Sequence, residues 1–142
     1  MKKYIDRALE ALELQPNDIF YDLGCGDGRI TIEAAKKYHV KARGIELVWW
    51  LCIYANWRIK FLGLDKLAQV RCGDILKADY SDATAVALFL MPALMDRLGP
   101  KLLSNLKPGT RVVSICFQIK ALTPIKIIRP TPQDKPVYLY VI

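Results

Sequence analysis

Residues 18–30 read DIFYDLGCGDGRI, and this stretch decides the fold. Its first half, residues 19–23, is a short and mostly apolar run that predicts a buried strand. Three glycines follow at every second position, Gly24, Gly26 and Gly28, and predict a tight turn that needs positive φ angles. The chain then returns to good helix formers with one apolar face. A strand, a glycine turn and a helix in this order present backbone groups to a nucleotide-like ligand.

The acidic residues around this turn indicate the kind of ligand. The spacing differs from Gly-x-Gly-x-x-Gly, which binds dinucleotides, and from the P-loop, which ends in Gly-Lys-Ser/Thr. Asp22 stands at the strand end and Asp27 lies inside the turn. Two carboxylates would repel a pyrophosphate but attract a ligand that carries an ammonium and a sulfonium. S-adenosylmethionine (SAM) is a ligand of this kind.

Two later acids extend the pattern. Glu46 follows the predicted strand 40–45 and stands where an acidic residue binds ribose hydroxyls after a glycine turn. Asp74 follows the predicted strand 67–71, where its carboxylate can accept a hydrogen bond from an adenine amino group. Acids at the ends of three successive strands predict a SAM pocket.

Four segments of the chain resemble class I SAM-dependent methyltransferases. They are DLGCGDGRI at 22–30, the apolar segment 85–91 before a helix, the run 107–114 and the closing segment 137–142. More narrowly, the chain is similar to the small archaeal protein-lysine methyltransferases. It also resembles the mitochondrial lysine methyltransferases that act on membrane carriers and on the c-ring protein of ATP synthase. The resemblance covers nearly the whole chain.

The resemblance and the hydrophobic pattern predict one domain, residues 1–142, with a Rossmann-like α/β fold. The expected sheet has seven strands, is mostly parallel, carries helices on both faces and ends in an antiparallel C-terminal hairpin at its edge. The predicted helices cover 4–14, 29–38, 48–62 and a segment that begins at Pro92. The predicted strands cover 19–23, 40–45, 67–71, 84–90, 111–117, 125–128 and 137–142.

The resemblance implies a cofactor site and an acceptor site at the strand ends. The implied cofactor-binding residues are Tyr21, Asp22, Gly24, Cys25, Gly26, Gly28, Glu46, Leu47, Gly73, Asp74, Ile75 and Phe89. Asp22 is expected to orient the methionine amino group, Glu46 to bind the ribose and Asp74 to bind the adenine. Phe89, Met91 and Pro92 are expected to line the channel through which the acceptor meets the methyl group, with ordinary core packing as the alternative.

The expected reaction is N-methylation, most simply of protein lysine. Displacement at a sulfonium methyl needs no metal, but a lysine of pKa near 10.4 costs about 5 kcal/mol to neutralise at pH 7. A dry channel and a neighbouring positive charge favour the neutral amine, so no dedicated base is required. The one histidine, His39, falls at the far end of its helix. A small-molecule methyltransferase and a non-catalytic SAM-binding module remain alternatives.

One departure from the archaeal pattern bears on the substrate. Those relatives place acidic residues after the Val-Val-Ser run, where this chain has Ile-Cys-Phe-Gln at 115–118. They also carry an aromatic and proline-rich segment before the first helix, whereas this chain begins almost at that helix. An open cofactor site is therefore expected.

Charge is unevenly placed along the chain. The net charge is +7, and residues 97–142 hold eight Lys or Arg against the single acid Asp134. Such a region can attract an acidic protein or an anionic lipid surface, with nucleic acid the less favoured partner. A solvated surface that keeps an apolar protein soluble is the plain alternative.

The predicted helix 48–62 is unusually aromatic. Trp50, Tyr54, Trp57 and Phe61 recur at helical spacing, in a helix with more apolar surface than one contact with a sheet needs. Three interpretations stay open: core packing, an interface between copies of the chain, or contact with a membrane-embedded substrate.

Cysteine usage indicates a reducing compartment. The four cysteines, Cys25, Cys52, Cys72 and Cys116, form no Cys-x-x-Cys pair. No apolar run reaches the roughly 20 residues that cross a bilayer, and no signal-peptide pattern opens the chain. The sequence therefore predicts a cytoplasmic protein in which Cys25 is a small filler of the binding turn.

Overall fold

The computed structural model describes residues 1–142, which form four helices and seven strands. The helices are α1 (Lys2–Leu12), α2 (Arg29–Tyr38), α3 (Trp49–Phe61) and α4 (Pro92–Asn105). The strands are β1 (Ile19–Leu23), β2 (Lys41–Glu46), β3 (Ala68–Cys72), β4 (Ala85–Leu88), β5 (Arg111–Ile115), β6 (Lys126–Ile128) and β7 (Val137–Val141).

All seven strands belong to one mixed sheet. Its strand order is β3-β2-β1-β4-β5-β7-β6, with β1 to β5 parallel and β7 antiparallel to both of its neighbours. The predicted mostly parallel sheet with an antiparallel C-terminal hairpin at its edge is confirmed. From β1 the chain proceeds to β2 and β3 on one side, then crosses to β4 on the other. Ligands of open α/β sheets bind at such a reversal of strand order.

Helices cover both faces of the sheet, as the apolar strands require. On one face α1, α2 and α3 pack over inward-pointing residues such as Phe20 and Ala42. On the other face α4 packs over the alternate residues, among them Leu23 and Val86. Consecutive residues of β1 therefore point to opposite layers, which fixes the side of the sheet that each can serve.

Two strands end earlier than the sequence predicts. The strand predicted over 84–90 ends at Leu88, and the one predicted over 111–117 ends at Ile115. Cys116 has a φ of 75°, and its N–H donates to the Pro136 carbonyl instead of continuing the ladder. Both departures lie at the carboxyl ends of parallel strands, where the chain turns to form a site.

The outer face of α3 corrects one interpretation. Only Cys52, Ala55 and Ile59 of this helix are buried, whereas Trp57 is 61% and Phe61 is 76% exposed. Core packing of the aromatic stripe is therefore wrong, because the sheet uses one narrow strip of the helix. No helix of the structure has the length and apolarity needed to span a membrane.

Candidate cofactor and acceptor site

Backbone hydrogen bonds join the loops that follow β1, β2 and β3. The N–H groups of Gly24 and Cys25 donate to the Ile45 carbonyl, at 2.8 and 3.1 Å. The N–H of Gly73 donates to the Glu46 carbonyl at 2.9 Å. Parallel pairing thus brings the three predicted acidic strand ends to one edge of the sheet, as the sequence predicts.

The turn after β1 needs glycine for two different reasons. At Gly24 φ is 77°, and a Cβ would lie 2.5 Å from the Cδ2 atom of Leu90. At Gly26 φ is 57° and the space beyond it is open, so the backbone conformation alone selects glycine. The turn therefore leaves its backbone bare toward the pocket.

Asp22 is the buried acid of the site. Its side chain is 1% exposed, and its Oδ2 atom accepts hydrogen bonds from the N–H (3.1 Å) and the hydroxyl (2.8 Å) of Thr31. Its Oδ1 atom has no hydrogen-bond partner, although the residue lines the pocket described below. Burial outweighs the hydrogen bonds from Thr31 and raises the pKa of Asp22 to about 7, and the charges of Glu46 and Asp27 add to the rise.

Thr31 was missed by sequence reasoning. It is fully buried in the first turn of α2, where N–H groups lack partners within the helix. The available signal was a hydroxyl residue on the apolar face of a predicted helix, nine positions after the strand-end acid. Thr31 fixes one oxygen of Asp22 and leaves the other for a ligand.

Asp27 does not offer free negative charge, which corrects the prediction that two carboxylates attract the cation. Its carboxylate pairs with Arg29 at 2.9 Å and with Arg58 at 3.5 Å. The hydrogen bond from Arg29 lowers the pKa of Asp27, against a smaller opposing effect of burial. The unbalanced carboxyl group of the pocket is therefore that of Asp22.

Glu46 holds the glycine turn in place. Its Oε1 atom accepts from the N–H of Gly26 at 2.8 Å and its Oε2 atom accepts from the N–H of Val48 at 2.9 Å. A carboxylate has about four acceptor positions, so both oxygens can still accept hydroxyl groups. Glu46 is thus oriented by the backbone on both sides and fits the ribose role.

The cavity next to this turn has a volume of about 330 Å³. Its walls are formed by Met1, Ile5, Asp22, Gly24, Cys25, Gly26, Asp27, Arg29, Ile30, Leu51 and Phe89. Five of the predicted residues are among them, whereas the walls from α1, α2 and α3 were not predicted. These helices enclose an apolar compartment around one buried carboxyl group.

The residues predicted for the adenine lie beyond this cavity, at the same sheet edge. Asp74 accepts a hydrogen bond from the N–H of Leu76 at 2.9 Å and begins a turn. Ile75 is buried in the core on the α4 side, and Leu47 is 69% exposed. The hydrogen bond from Gly73 to the Glu46 carbonyl connects this group to the ribose position.

Two predicted residues lie away from the cavity walls. The Tyr21 hydroxyl donates to Asp82 at 2.8 Å and accepts from Arg43 at 3.3 Å on the other side of the sheet. The period of two along β1 explains this position, since the Asp22 side chain points toward α2. Gly28 is buried at the start of α2, where its φ is 82° and its carbonyl accepts the N–H of Ile32.

The predicted acceptor residues lie next to the cofactor cavity. Phe89 is half-buried and forms part of the cavity wall, whereas Met91 and Pro92 are exposed. Pro92 is the first residue of α4, a position where a missing N–H costs nothing. This sheet edge therefore presents an apolar surface beside the cavity.

The cavity holds no activated nucleophile. Burial raises the pKa of the Cys25 thiol, so it stays protonated and fills space, as predicted. His39 is exposed at the end of α2, away from the glycine turn at the other end of that helix. The chemistry of the site must come from a bound group and from positioning.

The donor set fits SAM. A buried carboxyl group with one free oxygen suits the ammonium of the methionine part, and the backbone-held carboxylate of Glu46 suits a ribose. The sheet order, the glycine turn and these acidic strand ends define a class I SAM-dependent methyltransferase. The chain belongs to the family described as the ANTKMT methyltransferase domain, whose model matches residues 22–126.

Two curated relatives show how far the similarity extends. A protein-lysine N-methyltransferase from Saccharolobus islandicus is 42% identical over 144 residues, which cover 99% of this chain and 89% of that protein. A human lysine N-methyltransferase, named for the C-type subunit of ATP synthase, is 34% identical over 122 residues, which cover 86% of this chain. That alignment covers 52% of the human protein, so the chain spans about half of its length.

A solved structure agrees with the cofactor. A crystal structure described as an RNA methyltransferase from Salinibacter ruber in complex with S-adenosyl-L-homocysteine matches with a TM-score of 0.95 and 38% identity. The match covers 100% of this chain and 92% of that one. S-adenosylhomocysteine is what remains of SAM after methyl transfer. SAM is therefore the cofactor of this methyltransferase.

Proposed function

We propose that this enzyme methylates the side-chain amine of lysine in proteins. The observation that carries the proposal is the uncharged acceptor edge next to the cofactor cavity. From Leu88 to Met95 the sequence is LFLMPALM, without a charged residue. Phe89 of this segment forms a cavity wall, and Met91 is exposed. An apolar edge of this kind suits the four-carbon stem of lysine.

The same edge addresses the protonation of the acceptor. When bound, SAM supplies an electrophilic methyl group on a positively charged sulfur. An amine that enters between Phe89 and the exposed Met91 leaves water, which disfavours its charged form. The residues of the chain then act by orienting the acceptor and by excluding water, and such positioning can supply several kcal/mol of the barrier reduction.

Two observations favour lysine over other acceptors. The archaeal relative that aligns with 99% of this chain is named a protein-lysine N-methyltransferase. RNA binding depends on Lys and Arg next to phosphates, and the acceptor edge has none. The Salinibacter ruber protein is described as an RNA methyltransferase, so RNA must be included in the test.

The test is a methyl-transfer assay with radiolabelled SAM and three acceptor pools: proteins, RNA and small molecules from one cell extract. We expect label in the protein fraction and, after acid hydrolysis, in methylated lysine. The variant Asp22→Asn serves as the control that lacks cofactor binding. Label that is removed by ribonuclease, or that stays soluble after protein precipitation, would contradict the proposal.

The nature of the protein partner is a further part of the proposal. The basic C-terminal region favours acidic partners, but several of its cations are used within the fold. Arg111 pairs with Asp18, and Lys120 pairs with Asp96. The cytoplasmic location rests on the four unpaired cysteines and stays a prediction.

A further inference from the structure

The outer side of α3 is the largest apolar anomaly of the molecule. We call it the aromatic face; it consists of Trp49, Trp50, Ile53, Tyr54, Trp57, Phe61 and Leu62. Each of these side chains is between 47% and 76% exposed. Soluble proteins rarely expose contiguous apolar patches of more than a few hundred Å², and larger ones mark interaction sites.

Three rings of this face form a continuous ridge. The centroids of Tyr54 and Trp57 lie 6.5 Å apart, and those of Trp57 and Phe61 lie 5.5 Å apart. Both pairs are stacked with an interplanar angle of 18°. Arg58 places its guanidinium 5.6 Å from the centroid of the Tyr54 ring. The ridge is therefore an ordered surface with a cation beside it.

Positive charge accompanies the aromatic face. No acidic residue occurs between Glu46 and Asp65, whereas Arg58 and Lys60 lie on the last turns of α3. A cleft of about 480 Å³ between α1, α2 and α3 borders the face at Tyr54 and Leu62. The charged residues of this cleft are the cations Lys2, Arg29, Lys36 and Arg58 and the acids Asp27 and Glu33.

We propose that the aromatic face docks on the surface of an anionic lipid bilayer. Trp and Tyr rings favour the headgroup region, and apolar side chains gain free energy by entering the acyl boundary. Each Lys or Arg near an anionic membrane contributes about 1 kcal/mol of attraction. The face combines all three features: Trp and Tyr, large apolar side chains and a cationic border without free acids.

A second copy of the chain fits this surface less well. A two-fold dimer places the same patch on both sides, so Arg58 and Lys60 of one copy would approach those of the other. Each copy carries a net charge of +7, which opposes association further. A bilayer of negative lipids satisfies the apolar rings and the cations together.

Docking would bring the cofactor cavity to the membrane surface. Leu51 of α3 is part of the cavity wall, and Tyr54 lies one turn further along the same helix, on the aromatic face. Provided that the proposed lysine activity holds, acceptor lysines would lie in membrane proteins close to the headgroups. Vesicle binding can be measured without SAM and without an acceptor, so the two proposals can fail independently.

Tryptophan fluorescence reads this surface directly, because all three tryptophans of the chain, Trp49, Trp50 and Trp57, lie on α3. The experiment adds vesicles of phosphatidylglycerol or of phosphatidylcholine to the purified full chain. We expect a blue shift and co-flotation with the anionic vesicles, and at least a fivefold weaker response with the neutral ones. Salt at 0.5 M should weaken binding to the anionic vesicles, because it screens the cations.

A triple variant locates the contact. Ile53→Asn, Trp57→Gln and Phe61→Gln together change three exposed side chains that line neither the cleft nor the cavity. We expect at least tenfold weaker vesicle binding with unchanged methylation of a soluble lysine peptide. The matched control Ile125→Asn changes a residue that is 64% exposed and far from α3 in the sequence, and should bind like the wild type.

Two results would overturn the proposal. One is equal vesicle binding by the wild type and the triple variant. The other is the absence of vesicle binding, either by a monomer or by a chain that light scattering shows to be a dimer dependent on the aromatic face. In that last case the face would be an interface between copies.

Discussion

Two aspartates four residues apart, one just before β1 and one within it, have opposite environments. Asp18 accepts from the N–H of Gln15 at 2.8 Å and from the Thr84 hydroxyl at 2.6 Å, and it pairs with Arg111. Burial raises the pKa of Asp18, but hydrogen bonds from Arg111 and Thr84 outweigh that effect and lower it. At Asp22 burial prevails, and the pKa rises to about 7.

The difference separates a structural carboxylate from a functional one. At the amino end of the strand the fold supplies a cation and satisfies both oxygens of Asp18. At the carboxyl end it supplies only Thr31 and leaves Oδ1 of Asp22 without a partner. A ligand that brings an ammonium group then completes at Asp22 what Arg111 provides at Asp18. The cost of burying the unpaired carboxyl group is offset when the cofactor binds.

The sharpest way to break this comparison is Asp22→Asn. The asparagine carbonyl can still accept from Thr31, but its amide group would then point a donor at the ammonium. We expect SAM affinity to fall by about 100-fold, the value of a charge-assisted hydrogen bond at a buried site. Isothermal calorimetry with SAM measures the change.

The stability of the unliganded variant provides the control. Because the folded-state pKa of Asp22 is raised, its contribution to stability is fully present below pH 4 and is lost as pH rises toward 7. Unliganded Asp22→Asn should therefore unfold at no lower temperature than the wild type at pH 8. A large loss of stability together with unchanged affinity would show that Asp22 is structural.

Asp18→Asn is the matched change at the other end of the strand, with the opposite pattern of effects. It removes the charge that Arg111 pairs with in a partly exposed setting, so we expect the free energy of unfolding to fall by about 2 kcal/mol. SAM affinity should stay within twofold of the wild type. Urea denaturation and calorimetry measure the two quantities, and a loss of affinity without a loss of stability would contradict the assignment.

The pH dependence of cofactor binding sharpens the comparison further. SAM requires ionised Asp22, whose pKa is about 7 in the unliganded protein, so affinity should fall as the pH decreases below 7. We expect binding to be about tenfold weaker at pH 5.5 than at pH 7 and to release protons. Calorimetry in two buffers of different ionisation enthalpy detects the release. A pH-independent affinity that Asp22→Asn shares would contradict this linkage.

The sequence predicts the sheet and the glycine turn well, because both depend on local patterns. Apolar runs of strand length and the Gly24 to Gly28 spacing have few alternative structures. Glu46 and Asp74 follow predicted strands, so parallel pairing brings them to the Asp22 edge. Tyr21 could have been placed as well, since the period of two along β1 points it away from α2.

The helices that surround the pocket are harder to predict. Helix α3 is apolar around its whole circumference, so periodicity could not show that only Cys52, Ala55 and Ile59 meet the sheet. Leu51 is a cavity wall because α3 crosses close to the turn after β1, which is a matter of packing. Thr31 depends on a contact between a helix start and a strand end. Such contacts depend on the assembled layers, for which one sequence carries no pattern.

Thr31 gives the smallest predicted effect and the finest test of the comparison. Thr31→Val keeps the N–H that Asp22 accepts but removes the hydroxyl donor, so the buried carboxylate loses one of its two partners. We expect a further rise in the pKa of Asp22, about fivefold weaker SAM binding at pH 7 and a loss of about 1 kcal/mol in stability. Thr31→Ser keeps the hydroxyl and should bind SAM like the wild type. If Val and Ser weaken binding equally, the role of Thr31 is packing by its methyl group, and the free oxygen of Asp22 would depend on burial alone.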